Sequence, residues 1–114
     1  MPLRPYMDVI KKMRAFSLLV SCALLVATTA HAEDGAKVAA KYNCLACHAV
    51  DHKIVGPSYH DVANKYRGQP GIEAKLMKKV KEGGGGTWGT IAMPAQQIGD
   101  DDLKVIVKWV LSQK

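Results

Sequence analysis

This chain has almost no means of stapling itself with disulfides. It holds three cysteines in 114 residues, too few for the framework of bridges on which small exported folds rely. Four thiolates for a structural zinc are missing for the same reason. Aromatic residues are sparse, with one Phe, two Trp and four Tyr. No apolar run reaches the ~20 residues that a membrane-spanning helix requires. The glycine run Gly83-Gly84-Gly85-Gly86 lacks the Lys and Ser/Thr at fixed offsets that a phosphate-binding loop needs. Ten acidic residues face sixteen basic ones, a formal charge of +6, and no basic run suggests nucleic acid as a partner.

What is present begins with an export signal. Arg4, Lys11, Lys12 and Arg14 precede an apolar run over residues 15–27, and Ala30-His31-Ala32 follows as a small-x-small cleavage site. The expectation is a signal peptide over residues 1–32, removed after Ala32, and one domain over residues 33–114 with no stable membrane anchor. Cys22 follows Leu19-Val20-Ser21, which resembles a lipoprotein box, but the apolar run continues past it and Cys22 reads as part of the discarded leader. Met7 or Met13 serves equally as a start. A domain this small buries little of its own surface and needs a staple other than disulfides.

Cys44-Leu45-Ala46-Cys47-His48 supplies one. A C-x-x-C-H run is the attachment signature of c-type haem: each thiol forms a thioether to one edge of the porphyrin, and the next residue offers its imidazole to the iron. A thioredoxin-like dithiol would follow a strand in a βαβ unit, and no such strand precedes Cys44.

Around this run the apolar spacing predicts only helices. The first covers residues 35–43, with Asp34 as its N-cap and Val38 and Tyr42 on one face. Residues 49–59 lack a period, and Gly56-Pro57 reads either as a plain turn or as one whose proline carbonyl accepts the second ring N–H of His48. A short helix covers residues 59–66, ended by Gly68-Gln69-Pro70-Gly71. Another covers residues 72–82, with Ile72, Leu76 and Val80 in a stripe and Lys75, Lys78, Lys79 and Lys81 largely outside it. The last begins at Asp100 as cap, and Leu103, Ile106, Val107, Val110 and Leu111 follow the helical period, with Val105 and Trp109 widening the stripe.

Residues 83–98 form a long irregular segment, too apolar for a solvated linker. It carries Met93 followed by Pro94. A thioether completes a Met/His pair that raises the reduction potential and closes the iron, so Met93 is the expected second axial ligand. Met77 sits on a helix and reads as packing, while His52 and His60 are the weaker candidates.

These runs together resemble bacterial class I cytochromes c, most closely the small periplasmic c-551 type. The resemblance spans residues 33–114 and rests on Cys44 to His48, Val55-Gly56-Pro57-Ser58-Tyr59, Asp61-Val62-Ala63, Trp88 to Pro94 and the closing Lys108 to Lys114. It implies an all-α fold of about four helices wrapped around one covalently attached haem c, with iron held by His48 and Met93. It further implies that the Pro57 carbonyl receives the His48 ring N–H, that Trp88 donates to a haem propionate, and that Gln96 or Gln97 contacts the methionine ligand. Ala95 stands where relatives often have a second proline, and the four glycines are unusually monotonous, which leaves the stiffness of the Met93 loop open. The implied activity is that of a monomeric periplasmic electron carrier, not an enzyme. Its redox partners would be a respiratory donor complex and a terminal reductase, oxidase or peroxidase, docking at a lysine-bordered haem edge. The alternative is a haem enzyme or gas sensor with an open sixth position.

Overall fold

In the computed structural model, residues 29–114 are described, with side chains from residue 34 onward. The expected signal peptide therefore lies almost wholly outside the described residues. Residues 32–114 form one unit, built from four α-helices, with no strand among the described residues. They are α1 (Thr29–Lys41), α2 (Tyr59–Tyr66), α3 (Ile72–Glu82) and α4 (Asp100–Leu111), and a 3-10 turn at Cys44–Ala46 separates the first two.

Helix α4 is the spine. Leu103, Ile106, Val107, Trp109 and Val110 are all buried, as their spacing requires for one wide apolar face. Both α2 and α3 pack against α4. Val105, read from the sequence as widening the stripe, is instead exposed, and Trp109 turns inward. The first residue of α4 is Asp100, and Gly99 occupies the cap. Asp100 is therefore not the cap; it joins Asp101 and Asp102 in the first turn, where carboxylates favour the positive end of the helix dipole.

Two expectations for α1 also change. The helix starts at Thr29 and ends at Lys41, so Asp34 lies inside it. Among its residues 34–41, those it buries are Gly35 and Ala39, one turn apart, with Val38 and Tyr42 at the flank of the core. Small residues win because the helix approaches α4 closely. A Cβ on Gly35 would lie 2.1 Å from the Trp109 Cβ. The far end of the crossing is polar: Tyr42 donates its hydroxyl to Asp102 at 2.7 Å, and Lys41 donates to the same carboxylate at 3.1 Å.

Helices α2 and α3 match their expected bounds. Ser58 caps α2, its Oγ accepting from the Asp61 N–H at 3.0 Å. Gly71 precedes α3 with φ 70°, and Gly83 ends it with φ 69° and ψ −157°, a combination essentially restricted to glycine. The Arg67 guanidinium reaches the Leu111 carbonyl at 3.0 Å and also the Gln113 carbonyl, supplying donors to the C-terminal end of α4.

Candidate haem site

Helix α1 ends because Asn43 adopts the left-handed conformation, φ 58°, which asparagine tolerates better than most residues. The chain then tightens into the 3-10 turn. Both the Cys47 and His48 N–H groups donate to the Cys44 carbonyl, at 3.3 and 3.1 Å. One turn thus carries both thiols and the imidazole. Neither Cys44 nor Cys47 is taken up in a disulfide. Cys44 is half-buried, and burial pushes its thiol above the ordinary range, the opposite of what an attacking dithiol requires.

The next segment folds back under His48. Gly56 N–H donates to the Cys47 carbonyl at 2.8 Å, which brings Pro57 beside the imidazole. His48 Nδ1 lies 2.7 Å from the Pro57 carbonyl oxygen. Gly56 is required here by proximity, since a Cβ at that position would lie 2.5 Å from His48 Cε1. A metal-bound histidine commonly donates its outer N–H to such a carbonyl, which orients the ring and raises its basicity. With Nδ1 so engaged, Nε2 is left for a metal.

Met93 is held by a different device. Its N–H donates to the Gly84 carbonyl at 3.0 Å, and the Gly84 N–H returns a bond to the Met93 carbonyl at 2.9 Å. The Gln96 N–H donates to the Val80 carbonyl of α3 at 3.0 Å. The Gln96 amide donates to the Pro94 carbonyl at 3.0 Å, and Gln96 does not line the cavity described below. The Gln96 amide thus has a partner on the Pro94 peptide, beside the contact with the methionine ligand that the resemblance implies for Gln96 or Gln97. These bonds tie the loop to the end of α3 despite Ala95 and the glycine run.

Cys44, Cys47, His48, Trp88 and Met93 all line one cavity of about 640 Å³, within the ~300–1,000 Å³ typical of small-molecule and cofactor sites. Val62, Ile72, Leu76, Ile98, Ile106, Val107 and Val110 supply its apolar walls. Trp88 meets the Tyr66 ring edge-on at 6.2 Å. His52 and His60 are not among the lining residues; His52 pairs with Asp51 at the surface. Sequence reasoning missed Tyr59, which is 5% exposed, stacks on His48 and lines the cavity. Its phenol is pushed well above the ordinary range by burial and by the neighbouring Cys44. Its spacing to Val62, Ala63 and Tyr66 marks it as an inward-facing residue, but period alone says nothing of the imidazole it meets.

A flat, largely apolar macrocycle fits this chamber: two thiols stand on one turn, and an imidazole and a thioether line the same walls. All-α architecture and site together define a small protein built around one covalently bound porphyrin. A model of the cytochrome c family matches residues 32–114, and the chain belongs to that family. It is 45% identical over 104 residues to cytochrome c-551 of Pseudomonas aeruginosa, an alignment covering 90% of this chain and all of the relative. It is 42% identical over 78 residues to cytochrome c-552 of Hydrogenobacter thermophilus, covering 68% of this chain and 80% of that one. Among solved structures, wild-type cytochrome c552 of Nitrosomonas europaea matches with a TM-score of 0.67 at 41% identity, covering 69% of this chain and 99% of that one. The protein is a class I c-type cytochrome of the c-551 type, with one covalently attached haem c. It is a small electron carrier rather than an enzyme. The haem enzyme or gas sensor finds no support among these relatives.

Proposed function

We propose that this cytochrome shuttles single electrons in the periplasm, with Cys44 and Cys47 as the thioether links and His48 and Met93 as the axial ligands. The observation that carries the ligand set is that the imidazole anchored on Pro57 and the methionine anchored on Gly84 line the same cavity. The bound haem supplies one-electron chemistry at iron. The protein's part is to hold both ligands still, so that little rearrangement accompanies the change of charge, and to keep water from the metal with apolar walls. Trp88 donates to a propionate, the Pro57 carbonyl keeps His48 Nε2 directed at iron, and Gln96 steadies Met93 through the Pro94 peptide. Residues 1–32 act as a signal peptide removed after Ala32. No described helix is long and apolar enough to cross a membrane.

Cytochromes of this kind exchange electrons with redox partners. For this chain, a monomer, the partners are a respiratory donor complex and a terminal reductase, oxidase or peroxidase, docking where Lys53, Lys75 and Lys79 border the cavity. Such charge guides encounter and weakens with salt.

Met93→Ala tests the ligand set. The wild type should give sharp low-spin bands when reduced, a weak sulfur-to-iron band when oxidised, and no change with carbon monoxide. The variant should keep its haem in acidified acetone, lose the sulfur-to-iron band, bind carbon monoxide and show a lower potential. An unchanged potential and sulfur band in the variant would remove Met93 from the iron.

A further inference from the structure

One large group on the His48 side of the cavity has no part in the ligand set. Tyr59 lays its ring along the His48 imidazole, with centroids 5.2 Å apart and planes 19° from parallel. The Trp109 ring meets Tyr59 edge-on, at 5.1 Å and 73°. Both separations fall in the range where aromatic pairs attract beyond simple burial. The Tyr59 N–H donates to the Ala49 carbonyl at 2.9 Å, so the backbone beneath the ring is tied as well.

A hydrogen bond fixes one atom of an imidazole but not its plane. With Nδ1 held at 2.7 Å from the Pro57 carbonyl, the ring is still free to pivot about that contact. What stops the pivot is bulk against the ring: the Gly56 backbone on the Cε1 side and the Tyr59 ring stacked on it. Tyr59 is in turn referred to Trp109, whose Cβ abuts Gly35 of α1. A continuous line of packed groups therefore runs from the α1–α4 crossing to the imidazole.

From this we infer that Tyr59 is a positioning residue: it sets the rotational angle of the His48 imidazole about its direction to iron, and it couples that angle to the packing of the terminal helices. The inference rests on the reading of His48 as an axial ligand. The plane of an axial imidazole selects which iron d orbital it overlaps, and hence how unpaired spin is shared among the four pyrroles of a ferric low-spin haem. The stack needs the ring, not the hydroxyl.

The test is proton NMR of the four haem methyls in the haem-loaded ferric protein. Tyr59→Leu should change the order or spread of the four resonances while the absorption spectrum stays low-spin. Tyr59→Phe should restore the native pattern. Trp109→Phe, at a residue that does not itself line the cavity, should move the same methyls in the same direction by less. An unaltered pattern in Tyr59→Leu and Trp109→Phe, with native circular dichroism, overturns the inference, as does a folded Tyr59→Phe that resembles Tyr59→Leu. If Tyr59→Leu fails to fold, Trp109→Phe decides alone. Failure of the underlying ligand reading would look different, because the wild type itself would then lack a low-spin spectrum.

Discussion

Gly84 and Met93 exchange both of their backbone hydrogen bonds, at 2.9 and 3.0 Å. This pair closes the irregular segment on itself, so a methionine in a loop without helix or strand is held with the precision of a two-residue ladder. The neighbouring Gly83 makes the closure possible. Its φ of 69° and ψ of −157° let the chain leave α3 directly against the returning strand of loop, where a Cβ would stand 2.4 Å from the Met93 carbonyl oxygen and 2.7 Å from the Ala95 nitrogen.

Gly83→Ala should therefore loosen Met93 without touching the haem linkages. Backbone strain of this kind costs about 1–3 kcal/mol, and both clashing atoms are backbone. We expect a weakened sulfur-to-iron band and new carbon monoxide binding in a protein that still retains haem in acidified acetone. A native spectrum and native stability would show that the loop tolerates the side chain.

Gly35→Ala tests the α1–α4 crossing. The added methyl meets Trp109 Cβ at 2.1 Å, and neither backbone can yield without separating the helices. Overpacking costs about 1–3 kcal/mol, which lowers Tm by roughly 5–20 °C for a domain of this size. Thermal unfolding followed by circular dichroism checks it.

The polar end of the same crossing gives a pH signature. The Tyr42 hydroxyl, then Lys41, hold the Asp102 carboxyl below its usual range. Asp102 raises the Tyr42 and Lys41 pKa values in return. A depressed carboxyl stabilises the fold above its unfolded pKa of about 4, and that gain is lost as pH falls through the lower folded value. The raised groups contribute below their unfolded values of about 10 and lose it as pH rises through the folded ones. Asp102→Asn should thus be less stable than wild type on a plateau between about pH 5 and 9, with the gap closing at either side. Denaturant titrations at several pH values measure it, and a gap independent of pH would contradict the pairing.

The lysines of α3 are not equivalent. Lys78 faces Glu82 and Lys81 pairs with Asp100, whereas Lys75 and Lys79 border the cavity. Reversing Lys75 and Lys79 to Glu should slow oxidation by anionic hexacyanoferrate roughly tenfold or more at low salt and speed the reaction with a cationic cobalt oxidant. Reversing Lys78 and Lys81 should do less. Equal effects in stopped-flow measurements would mean that overall charge, not the cavity rim, governs encounter.

Much of this molecule was readable from spacing. The bounds of α2 and α3 and the inward face of α4 follow from apolar period and from Gly-Pro punctuation, which are local signals. What spacing concealed was contact between distant elements. Gly35 is buried because Trp109 of α4 lies too close for anything larger, Ala39 is buried one turn on, and a small residue carries no hydrophobic signature of its own. Asp34 looked like a cap because its side chain suits one, yet the helix begins earlier. Gln96 has a side chain long enough for several partners, and only the path of the loop directs it to Pro94. Met93 is singled out as the proposed ligand by its chemistry, but its anchoring on Gly84 depends on a glycine that reads as a mere linker.

Because both thiols and the imidazole ride on a single 3-10 turn, the chemistry of attachment is local in sequence. Five consecutive residues therefore carry both proposed thioether links and the proposed imidazole ligand, and bringing them together asks nothing of the distant helices. The Met93 side of the grip is not local in this sense, because its loop closes on Gly84 and on the Val80 carbonyl of α3.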